Sequence, residues 1–365
     1  MEPAIPEHLT TTRIFPAKLK AGYIPPYPTY TSRFPQGQRE IVIVILGSQH
    51  EDLEKTPSFG TGGITSRDAV LALQRMIAFA TETSETSKPK FYQLASQHEA
   101  IGGYEQCIIA YWDTKAAYNE WKTVSGFEEW WNSLNPTFEN HGWFLEVFLP
   151  PVERFENAFT DRMVPEGAAH LQGDASGPIQ EHGYWKSMRD RLPISQTDLL
   201  HGDKVTSTTI NVSDCRTRRI RVQGRKNLAV IRSGQDWSSA SDNERKLYLD
   251  KMSPALVAGM KFLHDEGLKE GCISLRFMNV LDRETLGRDP QKTFGLAIFD
   301  ELSSLEAWSM SHNTHKRIYT EFSRCAKELQ NTSLRFFHEV FVVRPEDQFF
   351  EYVGCHSKTG MLASL

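Results

Sequence analysis

From Glu40 to Gly47 the chain reads E-I-V-I-V-I-L-G, an almost unbroken β-branched run. Such a run predicts a strand covered on both faces. Residues 48–65 hold Gly60, Gly62 and Gly63 and read as a loop. Ser66 to Thr81 carries Val70, Leu73, Ile77 and Ala80 at helical spacing. Two more strands are expected over Phe91–Gln97 and Glu105–Trp112. Asp113 is placed to cap a helix running through Tyr118 and Trp121. A short helix with Phe127, Trp130 and Trp131 follows, then a strand over Gly142–Leu149 that Pro150-Pro151 stops. The order is β-α-β-β-α-β, the split βαβ pattern.

Residues 152–225 show no clear period. The pattern then returns with a strand over Asn227–Ser233. Ser241-Asp242-Asn243-Glu244 is a capping box. It opens a helix with Leu247, Leu256, Met260 and Leu263 on it, which Pro254 should bend or divide. Strands at Cys272–Leu281 and Thr293–Phe299, helix in pieces over Leu302–Leu329, and a strand over Leu334–Val343 complete a second β-α-β-β-α-β unit. Phe349–Tyr352 reads as an extension of that last strand. The resulting division is an extended arm over 1–39, a first unit over 40–151, an irregular connection over 152–225 and a second unit over 226–365. The fold class is α+β. Sheets of this kind, helix-covered on one face, can join into an α+β barrel whose other face encloses a pocket.

A length of 365 residues suits two such units. Forty-one basic against 46 acidic residues give a net charge of −5, which disfavours nucleic acid as a partner. No apolar run of about 18 residues is present, so no membrane-spanning helix is expected. The first residues, M-E-P-A-I-P, lack a signal-peptide pattern. A soluble, cytoplasmic protein is the reading. Cys107, Cys215, Cys272, Cys325 and Cys355 are scattered and form no C-x-x-C pair. That excludes a zinc ribbon and covalent c-type haem, and leaves buried free thiols.

Candidate chemistry is thin on residue types alone. His338 shares a strand face with Phe336 and Val340, where a buried core histidine is the plain alternative to a catalyst. His312 and His315 are spaced for one helix face but lack a third metal ligand in register. Ser233 ends a buried strand before Gly234, without the G-x-S-x-G of a hydrolase. Gly60-Thr61-Gly62-Gly63 lacks the P-loop lysine. Arg189 and Arg191 flank Asp190, as a surface ion pair would. The many aromatics suit a core or a flat apolar cofactor equally.

Taken together, the stretches Y-W-K-S-M-R-D-R, N-L-A-V-I-R-S-G-Q-D-W, S-H-N-T-H, F-H-E-V and F-E-Y-V-G-C-H-S-K-T-G-M-L resemble the haem-containing aldoxime dehydratases. The resemblance spans nearly the whole chain. It implies a dimeric α+β barrel made of two ferredoxin-like repeats and one non-covalent haem b, ferrous in the active state. It implies dehydration of an aldoxime, R-CH=N-OH, to a nitrile and water, with the substrate nitrogen on the haem iron. The axial histidine falls on His315, with His312 as fallback. The general acid/base falls on His338 and the distal serine on Ser233. The distal arginine falls on Arg189 or Arg191. Two alternatives remain: a haem-binding or haem-sensing barrel without catalysis, and a haem enzyme of the chlorite-dismutase or peroxidase type. Neither requires Ser233, His338 and an arginine to converge.

Overall fold

The computed structural model describes residues 1–20, 22–51, 67–99, 103–183, 187–205, 215–329 and 333–365. The glycines at 60, 62 and 63, Ser66 and the segment Tyr184-Trp185-Lys186 lie outside the described residues.

Eleven strands form one antiparallel sheet. They are β1 (Val42–Glu51), β2 (Phe91–Glu99), β3 (Gly103–Trp112), β4 (Gly142–Phe148), β5 (Phe155–Phe159), β6 (Arg219–Val222), β7 (Leu228–Asp236), β8 (Cys272–Leu281), β9 (Arg288–Phe299), β10 (Arg335–Val343) and β11 (Gln348–Val353). Their spatial order is β5-β10-β7-β9-β8-β2-β3-β1-β4-β11-β6. Within β1–β4 and again within β7–β10, the third strand lies between the first and the second, and the fourth flanks the first. The two sets meet where β8 pairs with β2.

The helices are α1 (Arg67–Thr81), α2 (Lys115–Val124), α3 (Phe127–Ser133), α4 (Asp242–Leu247), α5 (Ser253–Glu266), α6 (Leu302–Ser311) and α7 (Asn313–Glu328). Thr114, not Asp113, caps α2, because its side chain accepts from the Ala117 N–H. The capping box at Ser241 and Glu244 forms as expected. Pro254 does not divide its helix: the backbone stays helical from α4 into α5 through a π-helical turn over Tyr248–Met252, which lies just before Pro254 and accommodates its missing N–H.

Three expectations about the strands need correction. The strand from residue 42 runs on to Glu51, since β1 pairs with β3 as far as Glu51 and with β4 as far as Gln49. The connection over 152–225 is not devoid of order: it supplies β5 and β6, one at each edge of the sheet. Phe349–Tyr352 does not extend β10 but belongs to β11, which pairs with β4 and β6.

The ends of this sheet are close in space. The chain passes from β4 to β5 through residues 149–154 and from β10 to β11 through 344–347. Six residues reach roughly 20 Å at most, yet β4 and β5 lie far apart in the strand order. The sheet must therefore curl, and the Phe148 and Phe341 rings meet at 5.3 Å across the interior. That interior is full. Ile43, Ile45 and Tyr111 pack there against Val230, Phe294 and Phe337. Arg276 bonds Glu146 at 2.7 Å and Glu105 at 3.2 Å, all three buried. The C-terminal tail closes one end. Its Met361 N–H donates to the Tyr352 hydroxyl at 2.7 Å. Gly360, at φ +50°, has no room for a Cβ beside the Glu146 carboxylate. The expectation of a pocket on the helix-free face is thus wrong, since side chains of both halves fill that space.

The outer face carries α1, α2 and α3 on one half, and α5 and α6 on the other. All five cysteines are buried, and none is in a disulfide.

Candidate active site

The second half leaves a cavity of about 510 Å³ between its sheet and its helices. Register builds the floor. Ser233 on β7 lies directly opposite His338 on β10, so both side chains leave the same face. Ile231 and Val340 form the next pair on that face. β5 sets Ala158 opposite His338 and Glu156 opposite Val340. On the other side, β9 sets Gly295 opposite Ser233 and Ala297 opposite Ile231. Ala158, Gly295 and Ala297 line the cavity and are all small, which leaves depth for a flat body.

The roof comes from the π turn, α5, α6 and α7, with Met252, Met260, Leu305, Trp308 and Phe322 as its apolar surface. His315 lines this side and is 4% exposed. Its ring stands edge-on to Trp308 at 4.7 Å. Burial lowers its pKa to about 4, partly offset by a hydrogen bond to the Ser309 backbone carbonyl. At neutral pH it is therefore a neutral imidazole, the form that ligates metals, with a carbonyl to orient it. The Trp308 indole N–H is buried without a partner among the described residues. His312 does something else. It is the N-cap of α7, its Nδ1 accepting from the Thr314 N–H, and its ring stacks on Phe262 at 4.1 Å. It does not line the cavity.

The two arginines also part company. Both belong to the helical turn Met188–Arg191. Residues two apart on a helix face different ways. Arg189 donates to Glu306 on α6 at 2.8–3.2 Å and to the Leu199 carbonyl, and it does not line the cavity. Arg191 does line it. Arg191 donates to both Glu156 oxygens, at 2.8 and 3.1 Å, and its Nη2 stands 2.8 Å from His338 Nε2. Glu156 Oε1 is 3.2 Å from the same nitrogen. Burial tends to raise the Glu156 pKa, but the charges of Arg191 and then His338 outweigh it, and the carboxyl is lowered to about 2. It is ionised at all physiological pH.

This arrangement holds His338 in either protonation state. Arginine can only donate and an ionised carboxylate can only accept. A neutral Nε2 takes the Arg191 N–H, and a protonated Nε2 gives its proton to Glu156. The Ser233 hydroxyl has no hydrogen bond to protein among the described residues.

The mouth is made partly by the N-terminal arm, through Tyr23, Pro26, Tyr27 and Thr29. Thr29 Oγ1 is 2.9 Å from His182 Nδ1. Burial, then the Arg191 and His338 charges, lower the His182 pKa to about 3, so its ring stays neutral.

Sequence reasoning brought together Ser233, His338, His315 and either Arg189 or Arg191, and the cavity holds the first three with Arg191. It missed Glu156 and His182. Glu156 lies in F-E-N-A-F, whose alternation behind two prolines was a strand signal. Nothing in that run marks its carboxylate as a partner of Arg191.

The family model described as haem-containing dehydratase matches residues 44–361. The aliphatic aldoxime dehydratase of Rhodococcus erythropolis is 36% identical over 99% of this chain and 98% of its own. The phenylacetaldoxime dehydratase of Bacillus sp. (strain OxB-1) is 30% identical over 73% of this chain and 76% of its own. A crystal structure of an aldoxime dehydratase in complex with butyraldoxime superposes with a TM-score of 0.86 at 34% identity, covering 99% of this chain and 96% of that one.

Proposed function

The chain belongs to the haem-containing dehydratase family, and on that premise we propose how its own residues serve the reaction. The protein is an aldoxime dehydratase that uses haem to turn an aldoxime into a nitrile and water. The cavity suits that group: a floor of small side chains, apolar walls, one neutral histidine on the helix side and an unpartnered indole N–H beside it. His315 would hold the haem iron in this reading. When bound, the haem would supply a ferrous iron with affinity for nitrogen and electron density to weaken an N–O bond.

The remaining chemistry is proton handling. Hydroxide leaves poorly, so the oxime oxygen needs a proton as the N–O bond breaks. As the imidazolium, with its Nε2–H held by Glu156, His338 gives that proton from its other ring nitrogen. Ser233, opposite it on β7, donates a hydrogen bond to the same oxygen. That ring nitrogen of the neutral His338 then accepts the proton from the oxime carbon, which completes the C≡N bond. Arg191 keeps Glu156 ionised and, with it, holds the Nε2 edge of the ring in place. The carrying observation is the convergence of Ser233, His338 and the Arg191–Glu156 pair across the cavity from His315. A purely haem-binding barrel has no use for it.

Finer features follow as part of the same reading. We take the β1–β4 and β7–β10 sets as two ferredoxin-like repeats, supported by their common strand order. The repeats form a barrel, and the working form is a homodimer, which light scattering on the holoprotein tests. Five cysteines outside any disulfide fit a reducing cytoplasm. None of the described helices is long and apolar enough to cross a membrane. The relatives matched over the full chain are named for aliphatic substrates, which supports an alkyl aldoxime as the preferred one.

The test is anaerobic turnover of butyraldoxime and phenylacetaldoxime with and without dithionite. We expect nitrile only after reduction, and a higher kcat/KM for butyraldoxime. Equal turnover by the ferric protein would overturn the ferrous assignment.

The arginine assignment has its own test. Arg191→Gln is expected to lower kcat by about 10–100-fold, the scale of a lost charge-assisted hydrogen bond. Glu156→Gln should follow it, because it releases the same nitrogen. Arg189→Gln should leave kcat within about threefold and show its effect in Tm, since it only ties the turn to α6. Reversal of the two arginines in kcat would return the distal role to Arg189.

A further inference from the structure

Besides the floor at Ser233 and His338 and the mouth at Thr29 and His182, the cavity is polar at the far end of α7, which the mechanism does not use. Along α7 the wall begins at His315 and continues through Ile318, Phe322 and Ala326. These positions recur at helical spacing, so one stripe of α7 faces the cavity for its whole length. Lys327, next to Ala326 and at the edge of this face, also lines the cavity. Tyr319 and Ser323 bring hydroxyls to the same stretch.

Twelve residues at a 1.5 Å rise place Lys327 about 18 Å along the helix from His315. Helical side chains lean toward the N-terminus of their helix, so Lys327 leans back toward His315. Its ammonium has four methylenes of reach beyond that. Arg191 also lines the cavity, but it is committed to Glu156. Lys327 has no carboxylate partner among the described residues, and it stands at an exposed end of the wall. The walls over α5, at Leu256, Met260 and Leu263, are apolar.

A haem b is apolar around most of its rim and carries two carboxylates on one edge. That edge needs water or a cation, and the rest of the rim needs neither. We propose that the Lys327 end of α7 is the carboxylate end of the cavity, where Lys327, with Ser323 and Tyr319, holds the haem propionates and so fixes which way round the haem lies. This rests on the haem reading with His315 as ligand.

The experiment uses apoprotein reconstituted with haem or with haem dimethyl ester, which has the same iron and ring but no carboxylates. Affinities come from Soret titrations, independent of turnover. The wild-type protein is expected to prefer haem over the ester by about 10–100-fold, the worth of one charge-assisted hydrogen bond. Lys327→Gln should bring that ratio to within about threefold of unity, and Lys327→Arg should restore most of it. Lys316→Gln, on the same helix but outside the cavity, should leave the wild-type ratio unchanged. A wild-type protein that binds both forms equally, or a Lys327→Gln protein with the wild-type preference, would overturn the carboxylate end and leave the haem reading standing. Failure of the wild-type protein to bind either form would overturn both.

Discussion

His315→Ala is expected to abolish stoichiometric haem binding. Within the described cavity wall, His315 is the imidazole on the helix side, across from Ser233 and His338. Its ring is fixed twice, by the edge contact with Trp308 and by the bond to the Ser309 carbonyl. Loss of a contact that orients a metal ligand costs about 10–100-fold in metal affinity. Loss of the ligand itself should exceed about 100-fold. Apolar walls will still attract the ring, so the variant should take up haem weakly and with an altered Soret band. The measurement is the haem-to-protein ratio after gel filtration. His312→Ala is the control. It removes an N-cap bond worth about 1 kcal/mol and should lower Tm with haem content unchanged. Full haem and an unaltered spectrum in His315→Ala would move the axial role to His312.

His338→Ala should keep its haem and lose most of its rate. General acid–base catalysis is worth about 10²–10⁴-fold, and a hydroxide leaving group places the demand toward the upper end. The variant should fold, because the Arg191–Glu156 pair survives and Arg191 keeps its bonds to the Glu181 carbonyl and to Ser187. Ser233→Ala should lose only about tenfold, since it removes one hydrogen bond and leaves the proton donor in place. The discriminating measurement is a stopped-flow mix of the ferrous variant with aldoxime. A substrate-bound spectrum that decays slowly to nitrile supports the assignment. Turnover near that of the wild type, or loss of haem itself, would make His338 a buried structural histidine.

Much was legible in the sequence. Patterns whose period is local survive folding almost unchanged: the apolar run of β1, the capping box at Ser241 and Glu244, and the alternation of strands and helices. Each is a rule about neighbours within one turn or one strand. The resemblance carried the histidines and Ser233 to their positions, and the register of β7 and β10 then put two of them face to face. The Cys355–Leu362 stretch was equally distinctive, yet it went to the barrel end, where Gly360 and Met361 pack on Glu146 and Tyr352. A conspicuous stretch need not touch substrate.

Tertiary structure decided the rest. The choice between Arg189 and Arg191 is a question of helical phase relative to a sheet, and two residues of spacing turn the side chain to another partner. Glu156 became a functional carboxylate only because β5 crosses to the edge beside β10, a pairing between residues nearly two hundred positions apart. The side of the sheet that holds the cavity also lay beyond the sequence. Arg232, Arg276 and their carboxylates are buried inside the curled sheet and need one another there. These groups fill the interior, and the cavity lies on the helix-covered face instead. Local patterning determined the elements and named most of the chemical groups; only long-range register determined which of those groups meet, because pairing across distant strands leaves no period in the chain.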